Sequence, residues 1–439
     1  MTYQSLSLWH DTCGDPLDPR AALDGVTTVD VAIVGGGLTG LWAARSLAIA
    51  DPSLSILVIE SDICGFGASG RNGGWCSALL PQGTDDPAMR SAMRDTIDEV
   101  GRALEADGID AHFAKGGTIT LVTNPAHTER ARTHMEPGDT WLDGDALTDR
   151  IRVAGATAAA FTPHCAAVHP ARLVRGLASA VERRGVRIVE GTRAQSIEPG
   201  RVVTDRGVVT ARSILRCTEG YTPSLDGHRR TLAPIYSLMI ATEPLPDSAW
   251  DEIGLAQRET FTDGRNMIIY GQRTADGRFA FGGRGAPYHW GSAIDPSFDR
   301  DDRVFVDLER ILRSMFPAIG SARITHRWGG PLGVPRDWTA GVRYDPDTGL
   351  GSAGGYVGDG VATTNLAGRT LADLVTGTSS SLTKLPWVGH ESRAWEPEPF
   401  RYLGINAGRW IASGADRSET RRRRPDRVRS KIMSLLTGG

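Results

Sequence analysis

Three glycines at G-x-G-x-x-G spacing follow a short apolar run near the N-terminus. The run, VAIV from Val31 to Val34, is typical of a strand buried on both faces. Glycines directly after such a strand allow a tight turn, a close approach of the backbone to a pyrophosphate and close packing of the next helix. That helix, predicted over Leu38–Ala50, directs its positive N-terminal end at the phosphates. We expect ligand contacts from Gly35, Gly37, Leu38, Thr39 and Gly40.

An acidic residue ends the next apolar run. The residues from Leu54 to Ile59 predict a second strand, and Glu60 follows directly. A carboxylate at this strand end can accept hydrogen bonds from the ribose hydroxyls of an adenosine, and it repels a 2′-phosphate. Strand, glycines, helix, strand and acid in this order therefore predict a dinucleotide site. A βα turn that holds no dinucleotide is the alternative.

A second glycine-rich segment, GFGASGRNGG, runs from Gly65 to Gly74. So many glycines let a backbone wrap closely around a ligand, and the hydroxyl of Ser69 and the charge of Arg71 are available to a phosphate. The ligand is therefore larger than one pyrophosphate turn can hold. A flexible surface loop is the alternative, although the apolar residues directly behind the segment argue against it. The contacts expected here are Ser69, Arg71, Asn72, Gly73 and Gly74.

The segments VAIVGGGLTGLWAARSL and GFGASGRNGG together resemble a known family. They are similar to the N-terminal FAD-binding region of the D-amino-acid oxidase, glycine oxidase and sarcosine oxidase superfamily, most closely its γ-glutamylputrescine oxidase-like branch. The resemblance implies FAD, with the second segment passing along the pyrophosphate and under the isoalloxazine ring. Near the C-terminus, GLGSAGGYVGDGVATTNLAGRTLADLV stands where the family has its last flavin contact, so the resemblance covers about residues 28–376. It further implies cofactor contacts at Ala194, Gly220, Gly355, Gly358, Gly360 and Val361.

The resemblance also indicates how the flavin is held. Sarcosine oxidases tether their flavin through a cysteine in the C-terminal half, but this chain has no cysteine after Cys217. The dimethylglycine-dehydrogenase branch uses a histidine soon after the first βαβ unit, where this chain has Arg71 and Asn72. We therefore expect noncovalent FAD.

The elements that position these residues form two domains. The fold class expected is α/β, or α+β overall, with a discontinuous Rossmann-like FAD-binding domain and an antiparallel-sheet substrate domain. Runs such as NMIIYGQR and RFAFGGRG are typical of that second sheet. We assign residues 1–85, 146–225 and 336–380 to the FAD-binding domain, 86–145 and 226–335 to the substrate domain, and 381–439 to a C-terminal extension with a basic tail. For the tail, binding to a membrane surface or an anionic partner is the alternative to a solvated terminus.

Composition excludes several classes of function. The formal net charge of −3 gives no reason to expect nucleic acid, and no apolar run is long enough to span a bilayer. The five cysteines are scattered without a CxxC pair, which favours reduced thiols in the cytoplasm. His164, Cys165 and His169 match no structural zinc spacing, so we expect no metal site.

Oxidation of an amine by a flavin demands orientation more than a dedicated base. Arg284 follows a strand and could bind a carboxylate with two hydrogen bonds, although a surface arginine in a turn is the alternative. Tyr288, with His289 and Trp290 beside it, could shape the pocket, or simply pack in the core. The resemblance adds Trp328 and Tyr356, so the predicted catalytic residues are Arg284, Tyr288, Trp328 and Tyr356.

The predicted function is that of an FAD-dependent oxidase or dehydrogenase of a small amine or amino acid, which passes electrons to O2 or another acceptor. Two alternatives remain open from the sequence. One is a flavin-dependent enzyme that hydroxylates nitrogen or oxidises a hydroxy acid. The other is a flavoprotein subunit without catalytic activity.

Overall fold

The fold rests on two large sheets and the helices that cover them. A computed structural model describes residues 2–79, 86–429 and 431–432. In these residues the strands are β1 (Gly25–Val34), β2 (Ile56–Ile59), β3 (Trp75–Ser77), β4 (Thr118–Val122), β5 (Thr140–Asp143), β6 (Ala158–Thr162), β7 (Cys165–Ala167), β8 (Arg187–Val189), β9 (Ala194–Glu198), β10 (Arg201–Thr204), β11 (Gly207–Arg216), β12 (Ala233–Thr242), β13 (Thr260–Asp263), β14 (Ile269–Arg273), β15 (Phe279–Arg284), β16 (Ile324–Val334), β17 (Gly341–Asp345) and β18 (Leu350–Gly354). The α-helices are α1 (Leu8–Thr12), α2 (Leu38–Ala50), α3 (Ala68–Arg71), α4 (Pro87–Asp107), α5 (Pro125–Thr133), α6 (Gly144–Thr148), α7 (Pro170–Arg183), α8 (Asp247–Ile253), α9 (Asp302–Met315), α10 (Gly360–Thr376) and α11 (Phe400–Arg422).

The first sheet has the order β17-β18-β11-β1-β2-β8, and the antiparallel strands β9 and β10 extend it beside β11. Strand β1 pairs in parallel with both β11 and β2, so the carboxyl ends of these three strands meet at one edge. Val31 and Ile33 pack into a core with α2, α4, α7 and α10. Ala32 and Val34 face the other way, against Val202 of β10. The continuous apolar run of β1 is explained by this burial on both faces.

The second sheet has the order β16-β12-β15-β14-β13-β4-β6-β5, and its neighbours are antiparallel except for β13 and β4. Its core is rich in aromatic rings, among them Phe261, Phe279 and Phe316. Helix α9 contributes Leu308 and Leu312 to the same core. The predicted pair of domains, one Rossmann-like and one with a mainly antiparallel sheet, is confirmed.

The domain boundaries differ from the predicted ones on both sides of residue 146. Strand β6 pairs with β4 and β5 of the second sheet, although its residues fall in the segment assigned to the FAD-binding domain. Helix α4 falls in the segment assigned to the substrate domain, yet Met93, Ile97 and Val100 pack in the core of the first sheet. An apolar periodicity shows that a segment is buried but not against which sheet, which explains both differences.

The C-terminal extension packs against the second sheet. The Asp416 carboxylate of α11 accepts hydrogen bonds from the backbone N–H groups of Asn266 and Met267, each at 2.8 Å, just before β14. The Glu419 carboxylate forms an ion pair at 2.6 Å with Arg130 of α5. None of the helices in the described part of the chain has both the length and the apolar character needed to cross a bilayer.

Candidate cofactor cleft and active site

Gly35 makes the turn at the carboxyl end of β1. Its φ is +114°, a value that favours glycine, and its N–H donates to the Ile59 carbonyl oxygen at 2.8 Å. A Cβ atom on Gly35 would lie 2.5 Å from the Cys217 carbonyl oxygen, just beyond the end of β11. The turn therefore lies between the ends of β2 and β11, where no space remains for a side chain.

The two glycine-rich segments meet at the start of α2. Gly37 occupies the N-cap position, and the Ser69 hydroxyl oxygen accepts a hydrogen bond from the Leu38 N–H at 2.9 Å. A Cβ atom on Gly37 would lie 2.8 Å from that hydroxyl oxygen. Backbone and hydroxyl thus converge on the positive end of the helix, an arrangement that suits a pyrophosphate.

Glu60 lies at the carboxyl end of β2, as predicted. Its carboxylate accepts hydrogen bonds from the N–H groups of Gly36 at 2.7 Å and Asp62 at 3.0 Å. Burial raises the pKa of Glu60 to about 6, although these two hydrogen bonds oppose the shift. An acceptor held in this way is in the position expected to bind ribose hydroxyls.

A cleft of about 660 Å³ runs along the carboxyl ends of β1, β2 and β11. Ligands of open α/β sheets bind at this edge, where a glycine turn and a helix N-terminus are available. The cleft therefore fits the nucleotide part of FAD. Five of the predicted cofactor residues line it: Gly35, Gly37, Glu60, Ala194 and Gly220.

The second glycine-rich segment leads from this cleft to the second sheet. The Asn72 amide donates to the Ser69 carbonyl oxygen at 2.9 Å and accepts from the Gly74 N–H at 2.8 Å, so it fixes the shape of the loop. A Cβ atom on Gly73 would lie 2.7 Å from the ring of Tyr270 in β14. The backbone of this loop therefore runs beside the substrate domain.

Arg71 has protein partners for its charge. One guanidinium nitrogen donates to Asp299 at 2.6 Å and to the Gly329 carbonyl oxygen at 2.9 Å, while the other donates to the Tyr221 hydroxyl at 2.8 Å. The Arg71 side chain is only 2% exposed. We expected this charge to be available to a phosphate. In the structure, the Arg71 side chain instead bonds the second glycine-rich segment to the second sheet.

Glu219 organises the loop before α10, and the sequence analysis missed it. Its carboxylate accepts hydrogen bonds from the N–H groups of Gly355 at 3.0 Å and Tyr356 at 3.2 Å. Burial raises the pKa of Glu219 to about 7. An acid directly after a Rossmann strand, in the sequence CTEG, was the available signal.

Trp328 and Tyr356 support the site from within the core. The Trp328 indole N–H donates to the Arg71 carbonyl oxygen at 2.9 Å, and the Tyr356 hydroxyl lies 3.2 Å from that of Thr39. Both rings are 2% exposed, and neither lines the nucleotide cleft or the second cavity described next. Their contacts hold the cofactor segments in place, and the catalytic role that we assigned to them stays a prediction.

A second cavity of about 1060 Å³ lies between the second sheet and α11, and Arg284 and Tyr288 line it. The Arg284 guanidinium donates to the Val357 carbonyl oxygen at 2.8 Å, so it joins this cavity to the loop before α10. Asp359, which the sequence analysis also missed, lies in that loop. Burial raises the pKa of Asp359 to about 6, although the charge of Arg284 opposes the shift. The remaining predicted cofactor residues of this segment, Gly358, Gly360 and Val361, lie in the same loop and at the start of α10.

Comparison with known proteins places the chain in a family. The sequence pattern of the FAD dependent oxidoreductases matches residues 30–374. The chain belongs to this family. A probable oxidoreductase OrdL of Rhizobium meliloti is 31% identical over 389 residues, which cover 83% of this chain and 86% of that protein. A gamma-glutamylputrescine oxidoreductase of Escherichia coli is 29% identical over 389 residues, or 82% of this chain and 86% of the relative. Among solved structures, a glycine oxidase from Geobacillus kaustophilus superposes with a TM-score of 0.70 at 21% identity, covering 83% of this chain and 99% of the other.

These findings confirm the family resemblance, the fold class and FAD as the cofactor. The protein is an FAD-dependent oxidoreductase that acts on a small molecule. The cleft supports the same conclusion independently, because its glycine turn, helix N-terminus and strand-end acid all fit the adenosine and pyrophosphate of that cofactor. The individual residue roles beyond these contacts stay predictions.

Proposed function

We propose that this FAD-dependent oxidoreductase oxidises a C–N bond of a small amine or amino acid. FAD supplies the hydride acceptor. The substrate carbon loses a hydride, the nitrogen lone pair forms the C=N bond with loss of a proton, and water hydrolyses the resulting imine to an aldehyde or keto acid with release of ammonia or an amine. O2 would take up the hydride equivalent and the proton to give H2O2, or another acceptor would take them in its place. The names of the relatives support this class of substrate, since they include an oxidoreductase of gamma-glutamylputrescine and an oxidase of glycine.

The position of Arg284 carries the proposal. Its guanidinium lines the larger cavity and is bonded to the Val357 carbonyl oxygen, in the loop where the family has its last flavin contact. A substrate whose anionic group binds Arg284 is thereby held beside the cofactor loop. Orientation of the substrate accounts for much of the rate enhancement when the cofactor itself accepts the electrons.

The charge of the cavity favours the reactive form of the substrate. Only a neutral amine has the lone pair that forms the C=N bond. The charge of Arg284 repels an ammonium group and so lowers the pKa of the bound amine. We therefore expect no protein base to be required, and the rate of flavin reduction should rise with pH through the apparent pKa of that amine.

Anaerobic mixing of the holoenzyme with candidate substrates tests the proposal. Amino acids, N-methylated amino acids, polyamine conjugates and hydroxy acids would be mixed in turn, with flavin bleaching as the readout and trapping of the aldehyde or keto acid as confirmation. We expect an amine to bleach the flavin and hydroxy acids to leave it oxidised. Rapid bleaching by NADH or NADPH, with every amine inactive, would overturn the proposal in favour of an N-hydroxylating enzyme. A flavin that no compound bleaches would indicate a subunit without catalytic activity.

We further propose that the FAD is noncovalent and that the protein works in the cytoplasm. All five cysteines are free and buried, which supports a reducing compartment and leaves no exposed thiol to carry a flavin. Acid or heat should therefore release FAD, leaving a colourless polypeptide. Yellow colour that remains with the denatured chain would contradict noncovalent binding.

A further inference from the structure

Two partly buried arginines of the larger cavity, Arg284 and Arg409, lack an ion-pair partner among the described residues. Several arginines of its wall are neutralised by ion pairs, as Arg130 is by Glu419 at 2.6 Å and Arg401 by Glu398 at 3.1 Å. In the described part of the chain, neither Arg284 nor Arg409 forms an ion pair with a carboxylate. Both side chains are partly buried. The Asp359 carboxylate interacts with the charge of Arg284, but the two groups form no ion pair. A partly buried charge without an ion-pair partner is unfavourable, so this arrangement is better satisfied when an anion is bound.

Arg409 reaches the backbone next to Arg284 although it comes from the C-terminal extension. Its guanidinium donates to the Gly285 carbonyl oxygen at 2.8 Å, next to Arg284 in the chain. Within the described residues this is its only protein acceptor, and its Nε is buried without a partner. Arg284 likewise donates to a single carbonyl oxygen, that of Val357. Two guanidinium groups from different elements of the cavity wall thus retain donors for an anion.

Helix α11, which carries Arg409, is bonded to the rest of the protein on both sides of this residue. Near its start, the Asn406 amide bonds both the N–H of Tyr288, at 3.3 Å, and the carbonyl oxygen of the same residue, at 3.2 Å. Near its end, Asp416 fixes the backbone before β14. The backbone of α11 is thus fixed on both sides of Arg409, so a ligand need not order the helix when it binds, which favours affinity.

Apolar side chains form part of the wall of the same cavity. They include Met267, Trp338, Trp395 and Ile405. An anion that binds the arginines therefore extends an apolar or aromatic body along the cavity.

We propose that Arg409 determines substrate specificity by binding, together with Arg284, a carboxylate of the substrate. The preferred substrates are then amines or amino acids that carry a carboxylate and an apolar body. This inference rests on the proposed function for the identity of the reacting group, but the anion site itself does not depend on it.

Binding of an unreactive anion to the holoenzyme tests the site apart from catalysis. Hexanoate and hexanamide have matched apolar bodies and differ in charge, and titration calorimetry gives the Kd of each. We expect hexanoate to bind about ten- to a hundredfold more tightly than hexanamide, the range of charge-assisted hydrogen bonds. The Arg409→Gln variant should lose most of that preference, and Arg409→Lys should keep part of it, because an ammonium group retains the charge but not the fork of donors. The control is Arg417→Gln, an exposed arginine of the same helix, which should bind both compounds as the wild type does.

Binding affinity and the Tm together distinguish misfolding of a variant from loss of the anion site. Damage to the fold would weaken hexanoate and hexanamide alike and lower the Tm, whereas loss of the anion site weakens hexanoate selectively. Equal binding of the two compounds to the wild type, or an unchanged preference in Arg409→Gln, would overturn the inference.

Anaerobic mixing with the candidate substrates named above distinguishes failure of the proposed function from failure of the anion site. If no amine bleaches the flavin while hexanoate binding still depends on Arg409, the proposed function fails and the anion site stands. If neutral amines react as fast as acidic ones, and Arg409→Gln changes neither rate, the proposed function stands and the specificity role fails.

Discussion

The nucleotide cleft and the larger cavity are built in different ways. Glycine turns, a helix N-terminus and strand ends line much of the cleft. Its central contacts come from residues near one another in sequence, between Gly35 and Ser69. The cavity is formed by side chains from distant segments, and Arg284 and Arg409 come from a strand and from the last long helix.

This difference suggests a division of roles between cofactor and substrate. Every FAD molecule presents the same pyrophosphate and ribose, so recognition by backbone can stay constant while the surrounding side chains vary. Substrates differ in shape and charge, and side chains on separate elements can change one at a time. We therefore expect changes in the cleft to affect FAD binding and changes in the cavity to affect the choice of substrate.

The largest effect should come from Gly37→Val. A side chain there would overlap the Ser69 hydroxyl, 2.8 Å from the Cβ position, and would fill the space in which the backbone meets a pyrophosphate. We expect the purified protein to lack FAD, measured by absorbance, with its secondary structure retained by circular dichroism. The matched control is Gly404→Val, because a Cβ atom on that glycine meets nothing within 4 Å. Full flavin content in Gly37→Val would contradict the assignment of the phosphate turn.

Arg71→Met should lower the free energy of unfolding by about 3–5 kcal/mol, since it leaves Asp299 without its partner in a partly buried position. Urea unfolding of the FAD-free protein measures this effect. The exposed Arg303 of α9 provides the control, and Arg303→Met should change stability by less than about 0.5 kcal/mol. If Arg71 instead serves a phosphate, its loss will appear as weaker FAD binding, with the stability of the FAD-free protein unchanged.

Glu60→Gln should weaken FAD binding by about 1.5–3 kcal/mol at most, because charge-assisted hydrogen bonds are lost. The amide also has only one oxygen for the two N–H donors of Gly36 and Asp62. Fluorescence titration of the FAD-free protein with FAD gives the affinity. Asp226→Asn removes a charge from an exposed position of the same cleft and should have little effect. Equal losses in the two variants would mean that overall charge, and not the position of Glu60, matters.

The smallest effect concerns pH. Burial raises the pKa of Glu219 to about 7, so the folded protein binds this proton more tightly than the unfolded chain does. Stability linked to Glu219 is therefore present below about pH 4.5 and is lost as the pH rises to about 7. The Tm of the wild type should fall over this interval by roughly 1–3 °C more than that of Glu219→Gln. Glu198→Gln, at an exposed strand end, should follow the wild type, and parallel profiles for Glu219→Gln would refute the assignment.

Much of the cofactor site could be predicted from the sequence because its signals are local. The strand, the turn at Gly35 to Gly37 and the helix after it lie within a few residues of one another. Glu60 follows its strand directly. Secondary structure, glycine geometry and the helix N-terminus act over such short distances that the residue pattern alone determines them.

The roles of individual charges were decided by tertiary structure. Arg71 could serve a phosphate or a carboxylate, and only the fold brings Asp299, which is 228 residues away in the chain, within 2.6 Å. Arg409 carries no motif, and its place beside Gly285 depends on where α11 packs. The sequence by itself determined the cofactor, the strands and turns that bind it and the two-domain fold. The partner of each charged side chain was decided only in the folded chain, because charges interact through space and a residue pattern does not report which distant segments come together.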